Sequence, residues 1–387
     1  RNRAGRLKVT MPLANRPVPM SNSLRLQDRI ETLIAQTLPP LRKTRHRNLA
    51  RLLTGIYRAE HVHLSAMADE LSGPAQQTSK TRRMRRFLNN EEVEPGRWFR
   101  PVAQMLLRKA SESGRLRILV DRLELSGKRR LLVGALAYRR RALPLWWRVE
   151  RQTGATGAEL QASFLEELAE LVPPDAEAVL IGDGEFHSVD LLERARQEGW
   201  AYCVRLHADT YVRTDGEQTG GKQVWRECRA LDPAEGEGRY VQDVRIAKSR
   251  DFGPVNLVYH WAEGEEEPWR LVTNLSPGFS VVRLYQRRMW IEQLFGDWQE
   301  ERFHLHQTRL YEPETLSRLI LGLSLVYVWL VAVASYVAGA RLAPARGPYR
   351  SSRSELSGDW ASVDQKVSSE PRAASNAIVT LLLKTVR

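Results

Sequence analysis

Apolar and polar positions divide the chain into a helical first third and a mixed remainder. Between residues 24 and 110 the apolar side chains recur at helical spacing. They predict helices over 24–38, 48–57 and 62–71. Pro39 and Pro40 end the first, and Gly73 and Pro74 precede a fourth that opens at Lys80. In that fourth helix Met84, Phe87 and Leu88 share the apolar side, while Arg82, Arg83, Arg85 and Arg86 crowd the rest. From about 115 the period becomes that of strands. Residues 116–120 predict a short strand ending at Asp121, and 129–138 and 143–149 predict a hairpin turning at Arg139 to Arg141. A helix over 158–171 stops at Pro173, a buried strand over 176–181 ends at Gly182 and Asp183, and a helix over 189–198 leads to a strand over 200–206. The order β-β-β-α-β-α-β predicts a mixed α/β sheet whose first three strands form a meander.

Residues 207–268 carry short β-like runs at 211–213, 240–244 and 255–261, separated by Gly- and Glu-rich turns that read as solvated hairpin ends. This is a β-rich insertion, followed by a strand over 269–274. Residues 285–299 then predict one α-helix with two stripes. Tyr285, Arg288, Glu292 and Gln299 fall on one, and Ile291, Leu294, Phe295 and Trp298 on the other. Residues 319–338 are apolar for about a bilayer span. They include Gly322, Ser324, Ser335 and Tyr336 and follow a polar region, so they read as a buried helix of a large domain and not as a membrane span. Residues 1–22 read as a disordered basic N-terminus. Residues 342–387 read as a loose tail, apart from a short helix over 378–383. No internal repeat is visible. The organisation expected is therefore a helical unit over 23–112, a sheet core over 113–206 and 269–341, and the insertion over 207–268 between its two parts.

Charge sharpens this division. Of a net charge of +13 over 387 residues, residues 1–110 hold 22 Lys and Arg against 8 Asp and Glu, and the rest of the chain is balanced. Concentrated positive charge on a small helical unit favours a polyanion, and the arginine-dense helix near 81–88 fits a recognition helix for DNA. Two cysteines, Cys203 and Cys228, cannot build a disulfide framework or a thiolate zinc site, so a reducing compartment, the cytoplasm, fits best. The chain opens on Arg without an apolar signal core, which reads as no secretory signal and as a trimmed or partial reading frame. The pairs His61/His63 and His304/His306 have nothing nearby to complete a zinc set and read as surface or DNA-facing residues. No phosphate-binding loop, dinucleotide fingerprint or nucleophile elbow is present.

Three carboxylates stand out by position. Asp121 and Asp183 each follow a strand, and Glu292 lies on a helix after the sheet. A single such Asp is most often a turn or cap residue, so the reading rests on the three together. If the two strands are neighbours, their ends bring Asp121 and Asp183 together and a packed helix adds Glu292. Three hard oxygen donors suit Mg²⁺ or Mn²⁺. Two such ions, about 3.5–4 Å apart, can serve an in-line phosphoryl displacement.

The runs around Asp121, around Gly182-Asp183-Gly184-Glu185-Phe186, and Tyr285-x2-Arg288-x3-Glu292 resemble the DDE transposases of bacterial insertion sequences, in the branch marked by Tyr-x2-Arg-x3-Glu-x6-Lys. The resemblance covers roughly residues 75–340. It implies a ribonuclease-H-like core with a β insertion between the second Asp and the Glu, preceded by a small helical DNA-binding domain. It implies that Asp121, Asp183 and Glu292 are catalytic and hold two ions of Mg²⁺ or Mn²⁺. The reaction implied is hydrolytic nicking at the element's ends, then attack of the new 3′-hydroxyl on target DNA. Tyr285 and Arg288 would grip phosphates near the cut. Trp269 matches a position that stacks a flipped-out base, with a core indole as the alternative; the strand period there does not decide. Gln299 departs from the pattern, which has Lys, so the cation is missing or shifts to Arg302. The partners implied are terminal inverted repeats and target DNA, bound by a homodimer in a synaptic complex near the nucleoid. An inactive DNA-binding relic and a structure-specific nuclease on the same fold are the alternatives.

Overall fold

The helical period of the first third is realised as α1 (Asn22–Thr37), α2 (Lys43–Ala59), α3 (Leu64–Asp69), α4 (Gln77–Leu88) and α5 (Pro95–Ser111) in a computed structural model that describes residues 22–151, 156–214, 218–219 and 222–341. Residues 1–21 and 342–387, where the sequence reads as a disordered N-terminus and a loose tail, lie outside the described residues. In α4 the expected amphipathicity holds. Met84, Phe87 and Leu88 are buried, Arg82, Arg85 and Arg86 are exposed and Arg83 is half-buried.

The meander follows as β1 (Leu116–Leu125), β2 (Arg129–Tyr138) and β3 (Arg141–Glu150). Arg139 and Arg140 link β2 to β3 with φ of 43° and 66°, the left-handed pair that a two-residue hairpin turn requires and that arginine rarely supplies. After α6 (Ala158–Ala169) come β4 (Ala178–Gly182), α7 (Val189–Gln197) and β5 (Ala201–Arg205). β4 runs parallel to β1 and to β5, and every residue of it is buried, as a strand covered on both faces must be.

The next segment holds β6 (Tyr211–Thr214), β7 (Gln218–Thr219), β8 (Lys222–Gln223), β9 (Arg226–Glu227), β10 (Gly238–Ile246), β11 (Phe252–His260) and β12 (Trp269–Thr273). Apart from β7 and β8, which pair only with each other, its strands join the core. β12 pairs with β5, β11 with β12 and β10 with β11, giving one ten-stranded sheet in the order β3-β2-β1-β4-β5-β12-β11-β10-β6-β9. Arg270 of β12 is buried and makes a two-pronged ion pair with Asp232, at 2.8 and 2.6 Å, which ties the segment's loops to the sheet.

The predicted helix over 285–299 begins earlier and is not uniform. It comprises α8 (Phe279–Tyr285), a 3₁₀ turn at Gln286–Arg288, α9 (Met289–Gly296) and a π turn at Asp297–Glu301. The widening falls where the buried Asp297 carboxylate takes hydrogen bonds from Arg141 and the Tyr327 hydroxyl, both at 2.9 Å. Ile291, Leu294, Phe295 and Trp298 are buried as predicted.

The apolar run becomes α10 (Pro313–Arg341), which packs against α2, α4, α5 and β3. By length and composition it would cross a membrane, yet 83% of its apolar window is buried within the protein. Gly322 permits the contact with α2, since a Cβ there would meet Leu52 at 2.9 Å. Arg318, also buried, donates from Nε to the Val93 carbonyl at 2.9 Å and from Nη1 to the Leu88 carbonyl at 3.1 Å, capping α4 from α10. Arg318→Met keeps the packing volume but strands two buried acceptors. It is expected to cost about 2–4 kcal/mol in chemical denaturation; a loss below about 0.5 kcal/mol would show that water replaces the guanidinium.

The two histidine pairs, far apart in sequence, meet. The Val62 amide donates to the Phe303 carbonyl at 3.0 Å, and the rings of His61 and His304 lie 4.9 Å apart. Among the described residues no group of three metal-binding side chains forms. Burial, opposed by a hydrogen bond with Gln307 and reinforced by His304, His63 and His306, holds His61 below its ordinary value of 6.5. The unfolded chain therefore takes up a proton first as pH falls. The contribution of His61 to stability is complete above its ordinary value and declines below it. The thermal midpoint is expected to fall between about pH 7 and pH 5, and less steeply in His61→Gln. Equal slopes would remove His61 from the account.

Candidate active site

Asp121 was expected at a strand end, and here the structure corrects the sequence. β1 pairs with β4 only as far as Val120 opposite Gly182, but remains paired with β2 up to Leu125, so Asp121 sits mid-strand opposite Val133. β4 does end beside it, and Asp183 follows immediately. Adjacent strands are about 4.8 Å apart, so the two carboxylates leave the sheet side by side. Gly182 is needed for this close fit, because a Cβ would lie 2.9 Å from that of Phe186.

Both aspartates are fixed from behind. The Asp121 carboxylate accepts the Arg122 amide at 2.7 Å, and that of Asp183 accepts the Glu185 amide at 2.9 Å. Glu185 is in turn held by Arg122 at 2.7 Å and by the Thr156 amide at 2.8 Å. The buried Gln161 side chain donates to the Glu185 carbonyl at 2.7 Å and accepts from the Ser188 hydroxyl at 2.8 Å. The imidazoles of His187 and His207 both engage the Gly184 carbonyl. Sequence reasoning singled out none of these supports. Only Glu185, within the run around Asp183, carried a local signal.

Glu292 approaches from α9 through Arg288. The guanidinium reaches Asp121 at 3.3 Å and Glu292 at closer range, so one cation spans both carboxylates, and its buried Nε has no hydrogen-bond partner. Burial, then the charge of Asp183, pushes the Asp121 carboxyl up to about 7, despite the Arg122 amide and Arg288. Burial is the larger of the two causes, and the Asp183 carboxylate beside it is the second. The three donors are hard oxygens of the kind divalent cations take. With Glu292 turned to Arg288, however, the three carboxylates are not drawn together as a ligand set.

The other singled-out residues divide. Tyr285 is not on an exposed stripe with Arg288. It is buried, which raises its phenol well above the usual range, and its ring packs edge-on against Trp269 at 5.0 Å. Trp269, at the start of β12, is half-buried between Tyr285 and His260. Gln299 does not point freely outward. Its amide donates to the Glu124 carbonyl at 2.9 Å and so clips the π turn to β1. Arg302 does not take over the missing cation near the site, because it is buried and paired with Glu60, the residue that follows α2. Arg82, Arg83, Arg85 and Arg86 lie on α4 and form no ion pair among the described residues.

No curated protein matches the chain in a sequence comparison. A family model described as transposase DDE domain matches residues 124–329, which is just over half of the chain and contains Asp183 and Glu292, while Asp121 lies just ahead of it. With a mixed ten-stranded sheet compatible with that family's ribonuclease-H-like core and two aspartates at its parallel strands, the chain belongs to the DDE transposase family.

Proposed function

We propose that the chain is a metal-dependent, cut-and-paste DNA transposase of a bacterial insertion sequence, in the Tyr-x2-Arg-x3-Glu-x6-Lys branch, with Gln299 in place of the Lys. The observation that carries this reading is the bridging of Asp121 and Glu292 by Arg288 beside Asp183. Asp121, Asp183 and Glu292 would hold Mg²⁺ or Mn²⁺, two ions in the working site. When bound, the metal activates a water or 3′-hydroxyl and stabilises the leaving oxygen. A dication held there would compensate the carboxylates, and Arg288, which now engages Glu292, would have to give it up for the ligand set to form. The released guanidinium, with its unsatisfied Nε, then binds a phosphate oxygen of the scissile strand. Tyr285 supports this position from beneath and meets DNA only at the edge that Trp269 leaves open. Trp269 offers its half-buried ring to an unstacked base.

The four arginines of α4 bind the terminal repeats, with target DNA entering at the carboxylates. Two copies act together in a synaptic complex, in the cytoplasm at the nucleoid. Incubation with DNA bearing the element's own ends, with and without Mn²⁺, tests the reading. End-specific nicking followed by joining of the 3′-hydroxyl to target DNA is expected. Cleavage without joining would make the protein a nuclease, and binding without cleavage would make it inactive.

Gln299→Lys can keep the bond to the Glu124 carbonyl while adding the cation of the family pattern. Strand transfer by this variant is expected to equal or exceed that of the unaltered chain; a clear loss would show that the side chain does not face DNA.

A further inference from the structure

The outer face of α8 and α9 carries a stripe unlike the rest of the surface. Phe279 and Arg283 on α8, Arg287 in the 3₁₀ turn and Trp290 on α9 follow one another along this segment; Phe279 and Arg283 are exposed, and Arg287 and Trp290 are half-buried. Each arginine lies over a ring: Arg283 is 5.6 Å from the centroid of Phe279, and Arg287 is 5.9 Å from that of Trp290. Phe279 is 50% exposed, so apolar surface faces solvent beside Arg283.

Arg117 of β1 completes the set. Some surface arginines are ion-paired, as Arg115 is with Glu177 and Arg250 with Asp190. Arg117, Arg283 and Arg287 have no acid within ion-pair distance among the described residues. Burial, then Arg117 and Arg283, makes the Arg287 cation less favourable. Three like charges held together without a counter-ion, interleaved with rings, suit a ligand that brings both phosphates and flat apolar faces.

We propose that this stripe is a second nucleic-acid surface, and that it takes a single DNA strand with unpaired bases. A duplex would offer it only phosphates and leave Phe279 and Trp290 unused. A single strand can lay phosphates on Arg117, Arg283 and Arg287 and bases on the rings. Eleven residues of helix span about 16 Å, on the order of five stacked nucleotides at roughly 3.4 Å each. The stripe also connects with the active site. Phe279 touches His260 at 5.7 Å, His260 touches Trp269 at 6.2 Å, and Trp269 touches Tyr285 at 5.0 Å. A strand released beside Tyr285 therefore finds a continuous row of rings leading to Phe279.

The test measures anisotropy of the full chain with a labelled dT oligonucleotide of about 12 nucleotides and with a blunt duplex, in buffer with chelator and no metal. Phe279→Ala and the double variant Arg283→Gln/Arg287→Gln are compared with the unaltered chain. The double variant is expected to lose about tenfold or more in single-strand affinity and about 1.4 in the salt slope. Phe279→Ala should weaken the single strand while keeping the salt slope and the duplex affinity, and the double variant should weaken the duplex clearly less than the single strand. Unchanged single-strand affinity overturns the proposal, as does an equal loss for duplex, which would make the stripe a general electrostatic surface. Because binding is read without metal, absence of nicking by the unaltered chain would sink the catalytic reading and leave this result standing.

Discussion

Replacing Glu292 by Gln is expected to lower metal-dependent nicking of end DNA by at least about a thousandfold, or about 4 kcal/mol of barrier, while leaving the fold and the DNA affinity intact. The substitution is nearly isosteric, and the side chain is 40% exposed, so little packing is at risk. The amide oxygen still accepts from Arg288. What it lacks is the formal charge a hard cation requires of its ligand set. A packing or hydrogen-bonding role would tolerate the amide, whereas a ligand role would not. Asp183→Asn makes the same comparison at β4, because Asn can still cap the Glu185 amide as Asp183 does. Duplex affinity, measured without metal, should stay within about twofold in both. Nicking retained by Glu292→Gln would end the assignment of this residue as a ligand.

Most of the helices, though not α5 or α8, and the order of the first five strands were legible because each depends on local periodicity. The run from Leu116 stops being apolar at Asp121, so the strand read as ended. Yet Leu123 and Leu125 continue the alternation, and their burial keeps β1 paired with β2. The union of the later strands with the core sheet was not legible. It rests on β12 meeting β5, a pairing of residues some seventy positions apart that no local pattern encodes. The same is true of the clasp between His61 and His304.

At the site, residue types were readable and their engagements were not. Arg288 and Glu292 lie one helical turn apart, so their proximity follows from sequence, but the reach of Arg288 to Asp121 does not. Tyr285 was placed with Arg288 because 100° per residue was assumed through a segment that passes from α to 3₁₀ and on to a π turn. The turn at Asp297 depends on Arg141 and Tyr327, which the local stripe cannot reveal. Gln299 illustrates the cost of reading a departure by chemistry alone. The missing cation was visible, but the bond to the Glu124 carbonyl that occupies the amide was not.

The metal-free bridge makes Arg288 the position where charge and catalysis are most tightly linked. Arg288→Met removes the one cation spanning Asp121 and Glu292 and leaves their charges beside Asp183 uncompensated. Without metal the variant is expected to unfold at a lower temperature than the unaltered chain. Added Mn²⁺ should then raise its midpoint more than it raises that of the unaltered protein, because the ion no longer competes with a guanidinium for Glu292. Nicking should nevertheless fall by about a hundredfold or more, about 2.7 kcal/mol, since the phosphate loses its planar donor. Arg288→Lys separates the two effects. Its ammonium restores charge and hence metal-free stability, but as a point charge it cannot span two carboxylates or grip a phosphate with two parallel donors, so nicking should recover little. A Mn²⁺ shift no larger in Arg288→Met than in the unaltered chain would show that the guanidinium and the metal do not share Glu292. Full nicking by the lysine variant would show that Arg288 contributes charge alone.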